Sequence, residues 1–206
     1  MRTIQLILRI YQVMLHIHNL SDSNKLSESI ITIGNYDGVH LGHKHILKRM
    51  TDMSKKTNCP TVLLTFIPHT SEVLFNTSTN LLTTFESKKK LLEKTGLQYL
   101  CTIDFNHATS KMHADQFMDI LIEKYNPKTI FLGYDNKFGY KQSGSFNYLS
   151  QNEKYSNINI IQCNQFKKNN ISIKSSLIKE LILSGSVDKA NSFLGYNYVI
   201  SGKVVK

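Results

Sequence analysis

Along this chain, short runs rich in β-branched and apolar residues alternate with longer stretches whose apolar positions recur at helical spacing. Ile30-Ile31-Thr32-Ile33 is one such run, and Lys44-His45-Ile46-Leu47-Lys48-Arg49-Met50 opens the amphipathic pattern that follows it. The same reading predicts strands over 30–34, 61–66, 99–104, 129–133 and 157–162, and helices over 43–57, 86–95, 113–126, 145–154, 175–183 and 187–194. Ahead of them, Met14-Leu15-His16-Ile17-His18 alternates as a first strand. Strand and helix in turn predict an α/β fold, a mostly parallel sheet covered by helices on both faces. In such sheets ligands bind beyond the carboxyl ends of the strands.

Length and charge narrow the partners. A chain of 206 residues can bury a proper core in one large domain. The formal net charge of +10 attracts anions, but the lysines are scattered over Lys88-Lys89-Lys90, Lys167-Lys168 and single positions, much of it solvated helix face. With no arginine-rich arm and no aromatic RNA-binding signature, nucleotides rather than nucleic acid are the expected partners. Cys59, Cys101 and Cys163 lack metal-ligand spacing and read as reduced thiols of a cytoplasmic protein. No apolar run is long enough for a bilayer, and Arg9 interrupts the apolar opening, so neither membrane insertion nor a secretory signal is expected. Residues 1–13 read as an extension ahead of a start at Met14.

Candidate chemistry concentrates in the turn between the first buried strand and its helix, Gly34-Asn35-Tyr36-Asp37-Gly38-Val39-His40-Leu41-Gly42-His43. Unpaired amides at a helix start attract anions, glycines allow a nucleotide close, and His40 and His43 bracket Gly42 as hydrogen-bond donors. This H-x-G-H segment resembles the first motif of the nucleotidylyltransferase superfamily, and its fuller wording is similar to the FMN adenylyltransferase module of bacterial FAD synthetases. Three later segments extend the resemblance in the family's order. Thr65-Phe66-Ile67-Pro68-His69-Thr70 is similar to T-F-x-P-H-P, Gly133-Tyr134-Asp135-Asn136-Lys137-Phe138-Gly139 to G-x-D-F-x-F-G, and Ile173-Lys174-Ser175-Ser176-Leu177-Ile178-Lys179 to I-S-S-T-x-I-R.

The resemblance implies a Rossmann-like nucleotidylyltransferase fold and transfer of AMP from ATP to FMN, giving FAD and pyrophosphate, with Mg²⁺ accompanying ATP and no protein metal cage. It assigns ATP to Gly34, Asn35, Tyr36, Asp37, Gly38, His40, Gly42, His43, Ser175, Ser176 and Lys179. FMN falls to Phe66, Pro68, His69, Asp135 and Phe138. His40, His43, Ser175, Ser176 and Lys179 carry the catalytic expectation, as donors and a cation for developing phosphate charge rather than as nucleophiles. Blander roles stand beside these: Asp37 either caps the next segment or orients the histidines and the Mg²⁺ shell, Phe66 either faces the flavin or fills the core, and Asp135, Ser175 and Ser176 are also plausible helix or turn caps. Thr70 replaces the family's second proline and is expected to loosen the loop and leave His69 less firmly placed. Asn136, Lys174, Ser176 and Lys179 are further departures; those at Thr70, Asn136, Lys174 and Lys179 keep open a catalytically impaired remnant, and transfer to another phosphate acceptor would share His40 and His43 without requiring the Phe66 and Asp135 segments. Residues 14–195 are expected to form the transferase domain. Residues 196–206 resemble the start of a riboflavin kinase module whose phosphate loop does not follow, so riboflavin phosphorylation is not expected.

Overall fold

The computed structural model describes residues 13–19, 25–77, 80–200 and 202. Six parallel strands form one sheet: β1 (Leu15–His18), β2 (Ser29–Ile33), β3 (Thr61–Ile67), β4 (Tyr99–Asp104), β5 (Pro127–Leu132) and β6 (Asn159–Gln162), in the order β1-β4-β3-β2-β5-β6. All five residues of β2 are buried, which explains the continuous apolar reading of a central parallel strand.

Alternate residues of the central strands feed two cores. Ile31, Leu64 and Cys101 pack with Phe117, Met118 and Leu121, whereas Ile30, Leu63 and Leu100 pack with Leu47, Met50 and Leu92 on the other face. The helices that supply these residues are α1 (Leu41–Thr57), α3 (Phe85–Glu93) and α5 (Ala114–Tyr125), while α2 (Thr70–Phe75) and α4 (His107–Ser110) are short. A third apolar cluster joins Leu82 and Ile173 to the pair α7 (Ser175–Leu183) and α8 (Val187–Leu194). Among the described residues no helix is long and apolar enough to cross a membrane.

The expected elements recur with ends shifted by a few residues, and one helix is corrected. The expected helix over 145–154 is α6 (Phe146–Gln151) followed by a 3-10 turn over Glu153–Tyr155. Asn152 causes the break, because its extended backbone leaves the helix and its side chain accepts the Lys154 amide instead. A small hairpin, β7 (Lys167–Lys168) with β8 (Ile171–Ser172), turns through Asn169 and Asn170 at φ 51° and 61°.

Most of the expected extension, residues 1–12, lies outside the described residues. In the segment read as a module start, residues 196–200 and 202 are described and carry no strand. The Tyr196 hydroxyl donates to the Gly38 carbonyl at 2.6 Å and the Tyr198 amide donates to Asn191 Oδ1 at 2.7 Å, so this stretch packs back onto the site turn and α8.

Candidate active site

At the carboxyl edge of the sheet the turn after β2, the loop after β5 and the start of α7 enclose a cleft of about 420 Å³. Its walls include Gly34, Asn35, Tyr36, Asp37, His40, Gly42, His43, His69, Asp135, Ser175, Ser176 and Lys179. Most residues expected to hold ATP therefore meet in one place, at the sheet edge where such folds bind ligands. Two expectations are corrected. Gly38 does not line this cleft: at φ 78° it packs against Leu82, whose Cδ1 would lie 2.7 Å from an added Cβ, so its glycine serves the fold of the turn. Phe138, expected against FMN, is buried in the core beside Phe117 and bridged to Gly144, away from the cleft.

The turn itself is strained, with Tyr36 and Val39 both at positive φ, 51° and 36°. Packing over-determines it. Val39 is fully buried, and the Tyr36 hydroxyl finds the partner its burial requires in Thr32 Oγ1 at 2.9 Å. The product of this geometry is a stack of three rings, Tyr36 on His43 at 4.5 Å between centroids and His43 on His40 at 3.6 Å. His40 caps α1, its Nδ1 accepting the His43 amide at 3.3 Å. That bond assigns the proton of neutral His40 to Nε2, leaving it a donor at that nitrogen. Gly42 makes room for this ring, since a Cβ there would lie 3.1 Å from His40 Cε1.

Burial pushes the His40 imidazole down to about 4, against the opposing pull of Asp37, and burial with the neighbouring His40 and Lys88 holds His43 well below the ordinary range. Both are therefore neutral donors at neutral pH. The sign follows from linkage: between the unfolded value of 6.5 and the folded value of about 4 the unfolded chain binds more protons, so this contribution to stability is complete above 6.5 and is lost as pH falls toward 4. Urea unfolding at pH about 7 and about 5 should give a lower midpoint at the acid pH. An unchanged midpoint, with imidazole NMR signals titrating near 6.5, would contradict the burial assigned here.

Asp37 settles into a role that binds loops together. Its Oδ1 accepts the Leu82 and Thr83 amides at 2.9 and 3.2 Å, and its Oδ2 lies 2.9 Å from Lys179 Nζ. Asp37 is thus not a hydrogen-bond orienter of the two histidines, the second of the roles open in the sequence. Ser175 Oγ donates to the Asp37 carbonyl at 3.0 Å, fastening the start of α7 to the same turn. Ser176 and Lys179 face the cleft from that helix. Among the described residues no three His, Cys, Asp or Glu side chains gather to hold a metal.

On the opposite wall Asp135, expected against FMN, pairs with Lys174, one of the motif departures, at 3.3 Å. The Asn136 amide donates to the Ile33 carbonyl and pins its loop to β2. His69 is more firmly held than expected: its Nδ1 caps α2 at the Ser71 amide, 3.3 Å, and meets Ser71 Oγ at 2.6 Å. Thr70 is one reason the loop is not slack, because its hydroxyl accepts the Asn35 amide at 2.8 Å. Phe66 and Pro68 lie not in the large cleft but, with His69, along an adjoining pocket of about 100 Å³.

Two sets of cleft residues had no motif to announce them. Asn164, Gln165 and Phe166, just past β6, line the large cleft. Lys88 of α3, 8% exposed, lines the small pocket and donates to the Asn35 carbonyl and Thr65 Oγ1, each at 3.1 Å.

A parallel sheet of this order, with an H-x-G-H turn and a second phosphate-type helix start at one edge, defines a nucleotidylyltransferase-like α/β protein. Solved structures share that fold: pantoate-beta-alanine ligase from Francisella tularensis has a TM-score of 0.52 at 14% identity, over 88% of this chain and 86% of that one. A macrolide-efflux protein from Streptococcus pneumoniae reaches 0.80 at 24% identity, over 90% and 71%. The chain belongs to the FAD synthetase family, whose model matches residues 22–177. It is 37% identical over 192 residues to a bifunctional riboflavin kinase/FMN adenylyltransferase of Buchnera aphidicola (Schizaphis graminum), covering 92% of this chain and 61% of the relative. The Escherichia coli K12 protein of the same name is 30% identical over the same shares. The chain thus spans about three fifths of the length of these relatives.

Proposed function

We propose that this chain transfers the adenylyl group of ATP to FMN, producing FAD and pyrophosphate, with Mg²⁺ entering on the triphosphate. The observation that carries the reading is the meeting of the stacked His40–His43 pair with Ser176 and Lys179 in one cleft, in a member of the FAD synthetase family. A phosphate oxygen of FMN attacks the α-phosphorus of ATP, a new oxygen–phosphorus bond forms, and the bond to the β-phosphate oxygen breaks as pyrophosphate leaves. No covalent enzyme intermediate is needed. The task of the protein is alignment and charge. Neutral imidazole donors set in a strained, packed turn need no reorganisation as negative charge shifts onto the phosphates. Asp37 holds Lys179 near the site until polyphosphate offers stronger partners.

Incubation of the 206-residue polypeptide with ATP, Mg²⁺ and either FMN or riboflavin, with products separated by chromatography, tests this. FAD from FMN and no FMN from riboflavin is the expected result; no FAD, or phosphorylation of riboflavin, contradicts it. A further expectation concerns Lys179. Lys179→Arg should preserve or improve use of ATP, since a guanidinium supplies the same charge with a fork suited to phosphate. Lys179→Ala should raise KM for ATP or lower kcat by ~10-fold or more, leaving FMN binding nearly unchanged. Steady-state kinetics with ATP varied decide this, and unaltered ATP kinetics in the alanine variant would reduce that helix to a packing element.

A further inference from the structure

We infer that Lys88 receives the phosphate of the acceptor, making the small pocket beside the main cleft the seat of that phosphate rather than of the flavin ring. The inference rests on the FMN adenylyltransferase reading and adds to it a residue and a subsite. Lys88 is 8% exposed, and an ammonium is costly to bury without an opposite charge. Its two bonded partners, the Asn35 carbonyl and Thr65 Oγ1, are neutral, and they use two of its three protons. The remaining side faces toward the ring of Phe85, 5.8 Å away, and the pocket.

Among the described residues no carboxylate is bonded to it, and the nearest anion is shared. Asp37 lies on the same pocket, but its carboxylate is bound to Lys179 and to two backbone amides. Glu72 of α2 stands on the pocket wall, partly exposed, and makes no ion pair among the described residues. Lys174 and Asp135 cancel each other across the cleft. Two enclosed lysines, 88 and 179, thus share one buried carboxylate, and the surplus positive charge sits on Lys88. Burial lowers its pKa to about 8, outweighing the opposing pull of Asp37.

Size and position agree with a phosphate. A pocket of about 100 Å³ has the scale of a few water molecules, enough for a phosphate group and too little for a tricyclic ring. It shares Asn35, Asp37 and His69 with the main cleft, so an oxygen anchored there abuts the space assigned to ATP. Thr65, two residues before the end of β3, and Asn35, just past β2, hold Lys88, so it is fixed by the segments that carry the first two motifs.

Flavin fluorescence quenching in the absence of ATP separates the possibilities by comparing FMN with riboflavin, which differ by the phosphate alone. The parent protein should bind FMN more tightly than riboflavin, and Lys88→Met should lose ~10- to 100-fold in FMN affinity while riboflavin affinity stays within a few-fold. A folded Lys88→Met variant that keeps the parent preference for FMN overturns the inference and makes Lys88 a strut for the Asn35 loop. A parent that forms FAD without preferring FMN over riboflavin also overturns it, whereas a parent that neither binds flavin nor forms FAD overturns the functional reading itself. Should the variant fail to fold, acetylation of the parent read by peptide mass spectrometry replaces it. FMN should protect Lys88 and riboflavin should not, and equal labelling with both contradicts the assignment.

Discussion

Replacing His43 with alanine is expected to lower kcat for FAD formation by ~10²–10³ with little change in KM for FMN, the usual effect of deleting a preorganised donor to developing charge. The side chain is positioned by everything around it: the Tyr36 ring on one face, His40 on the other, and the first turn of α1 beneath. Its Nδ1 is buried and has no hydrogen-bond partner among the described residues, so the ring carries an unmet polar atom inside the site. Circular dichroism and thermal melting would establish that the variant folds, and steady-state kinetics with each substrate varied would give the split. A folded variant turning over within a few-fold of the parent would remove His43 from the chemistry and leave it as a shelf for Tyr36 and His40.

Asp37→Ala should instead strike the fold, by about 3 kcal/mol. The substitution orphans the Leu82 and Thr83 amides and strips Lys179 of its counterion in a place where only 24% of that side chain is exposed. Because Lys179 is not wholly buried, water recovers part of the loss, which sets the figure at the lower end for a broken buried pair. Asp37→Asn keeps an acceptor for the amides but not the charge and should fall between the parent and the alanine variant. Urea denaturation of the three proteins measures this, and an alanine variant within about 1 kcal/mol of the parent would show that the loop at 82–83 has other support.

Much of this architecture was legible because it is local. The buried run at 30–33, the helix capped at His40 and the alternation of strand and helix are written in adjacent residues, and the sheet followed from them. The site was legible as four motifs, yet the contacts between them were not. The pairing of Asp37 with Lys179, and of Lys174 with Asp135, joins segments far apart in sequence, so two residues read as separate ATP contacts hold each other, and one read as an FMN contact is held by a motif departure. Phe138 misled because an aromatic after a strand reads equally as a ligand wall or as core, and only its packing on Phe117 and Gly144 decides. Lys88 was hidden inside a lysine triplet that looks like a solvated face. Its spacing offered a signal all the same, since Phe85, Lys88 and Leu92 fall on one side of α3, and that side turns inward.

The central claim, that this site moves an adenylyl group onto a flavin phosphate, is tested most directly by following labelled ATP through one turnover with FMN. ATP radiolabelled at the α-phosphate should place its label in FAD, and ATP labelled at the γ-phosphate should place it in pyrophosphate. Label from the γ-position in a flavin product, or α-label recovered only in ATP, ADP or AMP, would contradict the account.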